Sequence, residues 1–302
     1  MKPEDFTLLA NLVRDQSGLV LTQEKIYLLE SRLMPVARSF NLKTLEELVQ
    51  IIRQRNDSQV VKAVVDAMTT NESLFFRDMK PFNQLKDLVL PRLMEKRQST
   101  RRMRIWSAAC SSGQEPYSIA MMLKEETRLS AGWKFDILAT DLSLAMVERA
   151  KSGVYSQFEV QRGLPINYLV KYFKQDGDKW RIDSALRENI QFKTYNLLHD
   201  LSPLGQFDIV FCRNVLIYFD QPTKAKVLEA ISKRMAPDGI LYLGGAETVL
   251  GISDRFQPMP GERGLYTLTD LATGGTKSSP ASPTASPAKP APPPFPARTV
   301  GR

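Results

Sequence analysis

The sequence predicts an α/β protein: a mostly parallel sheet flanked by helices, carrying a small antiparallel insertion and preceded by a small all-α domain. Three observations predict it. Apolar residues recur at helical spacing through about the first 75 residues. From Arg104 onward, short β-like runs alternate with helical ones, the pattern of right-handed parallel crossovers. Between Tyr172 and Ile182 that alternation breaks, and Asp176-Gly177 divides two extended runs as in a β-hairpin with a type I′ turn.

Each element follows from the residues in order. Phe6, Leu9 and Val13 mark a first helix, and Ile26, Leu29, Leu33, Val36, Ala37 and Phe40 a second, which Pro35 should kink or divide. Leu45–Ile52 and Val60–Met68 supply two more, with Asn56-Asp57-Ser58 as a break and cap. After a helix from Pro81 to Lys96, strands are expected at Arg104–Ser107, Phe135–Thr140, Ile190–Tyr195, Phe207–Cys212 and Gly239–Leu243. Helices are expected at Tyr117–Glu126, Leu144–Lys151 and Thr223–Met235. The resulting division is a helical domain over 1–75, an α/β domain over 76–271 with its insertion at about 152–188, and a tail over 272–302. That tail holds 8 of the 19 prolines and is rich in Ala, Ser and Thr, so it cannot bury enough apolar surface to offset ordering and should be disordered.

Composition limits the function classes. The 302 residues suffice for two domains, and no run reaches the roughly 18 apolar residues of a membrane span. The start, Met-Lys-Pro-Glu-Asp, has no apolar signal region, and two cysteines are too few for a disulfide scaffold, so a reducing cytoplasm is the expected setting. The net charge of +8 suggests nucleic acid until it is located: Lys277, Lys289, Arg298 and Arg302 in the tail account for half of it. Much of the rest comes from Arg92, Lys96, Arg97, Arg101, Arg102 and Arg104, a solvated loop or a patch for an anionic partner. No nucleic-acid partner is expected from basicity alone. His199 is the single histidine, which leaves little for an imidazole base or a multi-histidine metal site, and no metal is expected.

In an open parallel sheet, ligands bind in the loops after the strands, at the point where strand order reverses. After the first strand comes Ala108-Ala109-Cys110-Ser111-Ser112-Gly113-Gln114-Glu115-Pro116, whose small residues allow close backbone approach. After the second comes Thr140-Asp141-Leu142-Ser143, where Asp141 either accepts from ribose hydroxyls or caps the next helix. Neither loop has a phosphate cradle, and Glu115 would repel a pyrophosphate. A nucleoside with positive charge and no phosphate fits better, and S-adenosylmethionine is one.

Thr69-Thr70-Asn71-Glu72-Ser73-Leu74-Phe75-Phe76-Arg77-Asp78 and Phe211-Cys212-Arg213-Asn214-Val215-Leu216-Ile217-Tyr218-Phe219 closely resemble signature stretches of the CheR family of chemotaxis receptor methyltransferases. Trp106 to Ser118 is similar to that family's cofactor loop, and the resemblance runs in order to about Leu268. It implies a Rossmann-like methyltransferase sheet with a small antiparallel β-subdomain behind an all-α domain. It implies S-adenosyl-L-methionine as cofactor, S-adenosyl-L-homocysteine as product, and the cytoplasmic helices of methyl-accepting chemotaxis receptors as partners. By motif position, Asn71, Ser73, Arg77, Glu115, Asp141, Asn196, Leu197, Arg213 and Asn214 surround the cofactor, with Cys212 at the rim. Tyr218 lies close to the transferred methyl and Arg77 near the acceptor glutamate. Asn196 and Asn214 have strand-end capping as an alternative.

The implied chemistry agrees with the composition. A glutamate carboxylate, with an ordinary pKa of about 4.3, is already ionised at neutral pH and needs no general base. Two departures from the family matter. The short turn at Asp176-Gly177-Asp178 leaves tethering by a C-terminal receptor peptide doubtful, and the second helix keeps only Arg32 and Arg38 of a denser arginine face. Two other readings compete: methyl transfer to RNA or a protein amine, and a cofactor-sensing interaction module without turnover. The chemical lability of the methylated product separates the first; acceptor-side residues such as Arg77 and Tyr218 argue against the second.

Overall fold

The computed structural model describes residues 1–55, 57–129 and 132–269; the expected disordered tail lies outside them. Four helices form the N-terminal unit: α1 (Pro3–Ser17), α2 (Ile26–Ser39), α3 (Leu45–Arg55) and α4 (Ser58–Met68). Each turns an apolar stripe inward, and Leu9, Val13, Leu29, Leu33, Leu48 and Val64 are sealed from solvent. Pro3 opens α1, Gly18 closes it in the left-handed region (φ 79°), and Asp57 caps α4 through the N–H groups of Gln59 and Val60. Of the two expected outcomes, division of α2 does not occur: the helix runs on through Pro35. Pro35 and Ser31, whose carbonyl loses the N–H that Pro35 lacks, both lie on the exposed side of α2.

A second proline is handled differently. The expected helix from Pro81 to Lys96 consists of α5 (Lys80–Gln84) and α6 (Leu90–Lys96) joined by a π turn at Leu85–Val89. Leu90 donates to the Leu85 carbonyl, five residues back, which absorbs the donor that Pro91 lacks.

The main sheet has seven strands in the order β6-β2-β1-β7-β8-β10-β9. Its parallel part is β1 (Arg102–Ala108), β2 (Lys134–Asp141), β6 (Ile190–Thr194), β7 (Phe207–Cys212) and β8 (Met235–Leu243). Helices α7 (Gln114–Glu125), α8 (Leu144–Ser152) and α12 (Gln221–Ser232) connect them. Two antiparallel strands beyond β8, β10 (Leu265–Leu268) and the edge strand β9 (Phe256–Pro258), were not expected. The helix expected through Met235 stops at Ser232, because Met235 is buried and pairs with Phe207 to begin β8. Pro237 then falls in a register shift, where no ladder hydrogen bond is required of it.

The second sheet, β3-β5-β4, forms the insertion: β3 (Val154–Ser156), β4 (Phe173–Asp176) and β5 (Lys179–Ile182), with helices α9 (Gln157–Gln161), α10 (Ile166–Tyr172) and α11 (Ser184–Arg187). Asp176 pairs with Lys179, so the turn is Gly177-Asp178 and not Asp176-Gly177. Only Gly177 has positive φ (62°), the requirement of a type II′ turn; the expected type I′ needs it at both residues.

The connection within the basic run 92–104 is an exposed turn, as the solvated-loop reading has it, but three of the arginines around it are engaged with the protein. Arg97 bonds Asp208 and Asp238, Arg102 bonds Asp136, and Arg104 donates to the Leu204 and Gln206 carbonyls. These arginines hold α6 and the start of β1 to neighbouring strands. Arg32, one of the two arginines kept on α2, donates to the Met68 and Thr69 carbonyls and ties α2 to the segment leading out of α4.

Candidate active site

Strand order reverses beside β1, whose two neighbours are β2 and β7, with Ala108 opposite Thr140 on one side and Cys212 on the other. The carboxyl ends of β1, β2, β6 and β7 therefore open into one cavity, as expected for an α/β sheet. Asn71, Ser73, Arg77, Glu115, Asp141, Asn196, Leu197, Arg213, Asn214 and Tyr218 all line it. They come from five separate stretches of chain, and the sheet brings them together.

The loop after β1 reaches the cavity through an unusual backbone. Ala109, Ser111 and Gly113 all have positive φ, and a Cβ on Gly113 (φ 95°) would stand 2.9 Å from the Ala150 Cβ of α8. Glycine is thus required there so that α7 and α8 can close on each other. Tyr155 donates to the Ser112 carbonyl (2.7 Å), so the β-subdomain braces this loop from behind.

Asp141 ends β2 almost wholly buried, with Oδ2 accepting from the Ser111 N–H (2.7 Å) and Oδ1 from the Ser143 N–H (2.9 Å). The helix-capping alternative falls to its neighbour: Ser143 is the N-cap of α8. Asp141 holds two strand-end loops together and lines the cavity with its remaining lone pairs. Burial outweighs those two N–H bonds and raises its carboxyl pKa above the ordinary value.

Opposite, Glu115 accepts from Ser107 Oγ (2.8 Å) and from Arg213 Nη1 (3.0 Å). Arg213 Nη2 donates to the Arg77 carbonyl (3.0 Å) and to Asp78 (2.9 Å). The arginine therefore locks the 69–78 segment to the end of β7, and its charge is matched by Glu115 and Asp78. Its buried Nε has no partner among the described residues. Ser111 Oγ donates to the Asn71 carbonyl (2.6 Å), a second tie between the same regions. Arg77 uses one N–H on the Glu72 carbonyl (3.2 Å) and is half-buried at the cavity wall. The Asn196 side chain, two residues past β6, accepts from the Leu198 N–H and donates to the Gln16 carbonyl of α1.

Several lining residues escaped sequence reasoning. Ser17 and Leu19 belong to the helical domain, which showed no chemistry in the sequence, yet they wall the cavity together with Thr69 and Thr70. The Val20 N–H donates to the Tyr218 carbonyl (2.9 Å), and a Cβ on Gly18 would meet the Phe219 ring at 2.9 Å. Gly18 was the one local sign of a turn; what the turn rests on is tertiary. Cys110 lines the cavity, and burial, with Asp141 and Glu115 nearby, pushes its thiol pKa well up. Cys212 does not sit at the rim as expected. It is fully buried at the end of β7, in the apolar cluster that holds Val210, Leu228 and Leu243, and does not line the cavity.

The donor set fits S-adenosylmethionine. Two carboxylates offer acceptors for hydroxyl and ammonium groups, while Leu19, Leu142, Leu197 and Phe219 supply apolar surface for a base. Arg213 is committed to the carboxylates of Glu115 and Asp78. No His/Cys/Asp/Glu cluster among the described residues could hold a metal.

The CheR methyltransferase all-alpha domain matches residues 4–69, and the CheR methyltransferase S-adenosylmethionine-binding domain matches residues 71–265. The chain belongs to the CheR methyltransferase family. Chemotaxis protein methyltransferase Cher2 of Pseudomonas putida is 42% identical over 257 residues, covering 84% of this chain and 93% of that protein. Chemotaxis protein methyltransferase 1 of Pseudomonas aeruginosa is 43% identical over the same shares. A chemotaxis protein methyltransferase of Vibrio parahaemolyticus is 38% identical, covering 84% and 92%. As a CheR methyltransferase, the chain is an enzyme that uses S-adenosylmethionine as methyl donor and releases S-adenosylhomocysteine. No helix among the described residues is long and apolar enough to cross a membrane.

Proposed function

We propose that this enzyme methylates glutamate side-chain carboxylates on the cytoplasmic helices of methyl-accepting chemotaxis receptors, forming methyl esters in the cytoplasm. One observation carries the reading: Arg77 and Tyr218 line the same cavity as Glu115 and Asp141, and no imidazole is among the lining residues. An amine acceptor must lose a proton before or during attack; a carboxylate need not. When bound, S-adenosylmethionine supplies a methyl group on positively charged sulfur.

The chain's own residues then have four tasks. Asp141 and Glu115 accept hydrogen bonds from the nucleoside and amino-acid ends of the donor. Arg77 holds one oxygen of the acceptor carboxylate and leaves the other free to attack. Tyr218 offers a hydroxyl and an aromatic face beside the sulfonium. Leu19 and Phe219 exclude water, which strengthens these interactions and aligns the reactants, together worth several kcal/mol by general precedent. No proton is transferred to a protein group in the step.

The product distinguishes this from the other acceptors. After turnover with methyl-labelled donor and receptor cytoplasmic fragments, mild alkali should release the label as volatile methanol. Label that stays bound to protein in alkali would indicate an N-methyl product and overturn the glutamate assignment.

A further inference from the structure

Glu247 lies in the loop after β8 and does not line the cavity, yet its carboxylate shapes the cavity wall. Oε2 accepts from the Gly244 N–H (2.6 Å) and the Asn214 N–H (2.8 Å). Oε1 accepts from the Val215 N–H (2.9 Å) and the Ile217 N–H (3.3 Å). A carboxylate presents about four acceptor sites and no donor, which matches this set. Three of these donors belong to the stretch between Arg213 and Tyr218.

That stretch needs a clamp. Asn214 has a left-handed backbone (φ 58°), which L side chains adopt only when the surroundings hold it. The short 3₁₀ turn Leu216–Tyr218 follows at once, and its far end is held by the Val20 N–H on the Tyr218 carbonyl. The clamp is also close-fitting: a Cβ at Gly244 would fall 2.7 Å from Glu247 Oε2 and 2.8 Å from Asn214 Nδ2. With Glu247 only 9% exposed, water cannot readily replace the carboxylate.

We infer that Glu247 is a positioning residue for methyl transfer: its carboxylate fixes the backbone of residues 214–217 and so sets where Tyr218 stands against the donor and acceptor. The inference rests on the role proposed above for Tyr218. In Glu247→Gln the side chain keeps its size, but either amide orientation turns an NH2 toward two of the four backbone donors.

The test compares wild type, Glu247→Gln, Tyr218→Phe and the double variant in the full chain. Turnover is measured on receptor cytoplasmic fragments, S-adenosylhomocysteine affinity by calorimetry, and melting temperature by calorimetric scan. Glu247→Gln should lower kcat about tenfold or more while the S-adenosylhomocysteine Kd moves less than about threefold. In the Tyr218→Phe background the same change should cost no more than about twofold, because residues acting through one another do not add. If Tyr218→Phe is impaired and the two factors multiply, Glu247 is a structural staple and the inference fails. If Tyr218→Phe turns over at the wild-type rate, the role given to Tyr218 fails first, and the route assigned to Glu247 falls with it. Should Glu247→Gln not fold, Glu247→Asp keeps the charge and the acceptor sites on a shorter arm and takes its place in the same cycle.

Discussion

Replacing Asp141 with Asn isolates the carboxylate from the volume it fills. The native side chain accepts from the Ser111 and Ser143 N–H groups at 2.7 and 2.9 Å, and it is almost wholly buried. The amide keeps one acceptor and turns an NH2 toward the other backbone donor. The unpaired group costs about 1–3 kcal/mol, partly offset because a neutral side chain is cheaper to bury. At about 2–4 °C per kcal/mol for a chain of this size, the melting temperature should fall by several degrees. Cofactor affinity should fall further, since hydrogen bonds to a charged group contribute about 1.5–3 kcal/mol, or roughly 10–150-fold in Kd. The pH response gives an independent sign. Burial raises the Asp141 pKa, and the ionised form is the hydrogen-bond acceptor, so affinity should weaken as pH falls toward that raised value and level off above it. The variant should lack this dependence. Calorimetric titration with S-adenosylhomocysteine across a pH series measures both. A Kd within twofold of wild type, alongside the expected loss of stability, would make Asp141 a loop brace only.

Replacing Arg77 with Ala should reduce methyl transfer by a much larger factor than it reduces cofactor affinity; equal factors would reassign Arg77 to donor binding. Gly113→Ala should destabilise by about 1–3 kcal/mol, because it combines a left-handed backbone with a contact against α8, and an unchanged melting temperature would contradict the close packing there. Both cysteines should alkylate slowly at pH 8, since burial pushes their thiols well above the ordinary range and little thiolate forms below that. Saturating S-adenosylhomocysteine should slow the reaction further at Cys110, which lines the cavity, and leave Cys212 unaffected; equal protection of both would mean Cys212 is misplaced.

Much of the fold was legible because its central strands are buried on both faces. Ile105-Trp106-Ser107-Ala108 and Ile209-Val210-Phe211-Cys212 read as short apolar runs closed by loop residues, and the sheet uses them so. The antiparallel strands β9 and β10 hold three and four residues, too few to set up a period, and Pro237 disguised the start of β8. What a proline does inside a helix is not written locally: α2 runs on through Pro35 on its exposed side, and a π turn accommodates Pro91. At the site, Asp141, Glu115 and Arg213 were legible because strand-end loops face the ligand by topology. Ser17 and Leu19 were not, since their part depends on how α1 docks against Phe219. Glu247 was hidden too: a lone acid after a Gly-Gly pair has no pattern to mark it, and its four backbone partners are known only once the loops meet.

The central claim is that the cavity between the helical domain and the strand ends delivers a methyl group to a glutamate carboxylate. Tandem mass spectrometry of a receptor cytoplasmic fragment after turnover tests it most directly. Methyl groups should map to glutamate side chains on the receptor helices and disappear when those glutamates are replaced by alanine. Methylation confined to lysine, arginine or a chain terminus, with the glutamates untouched, would contradict it.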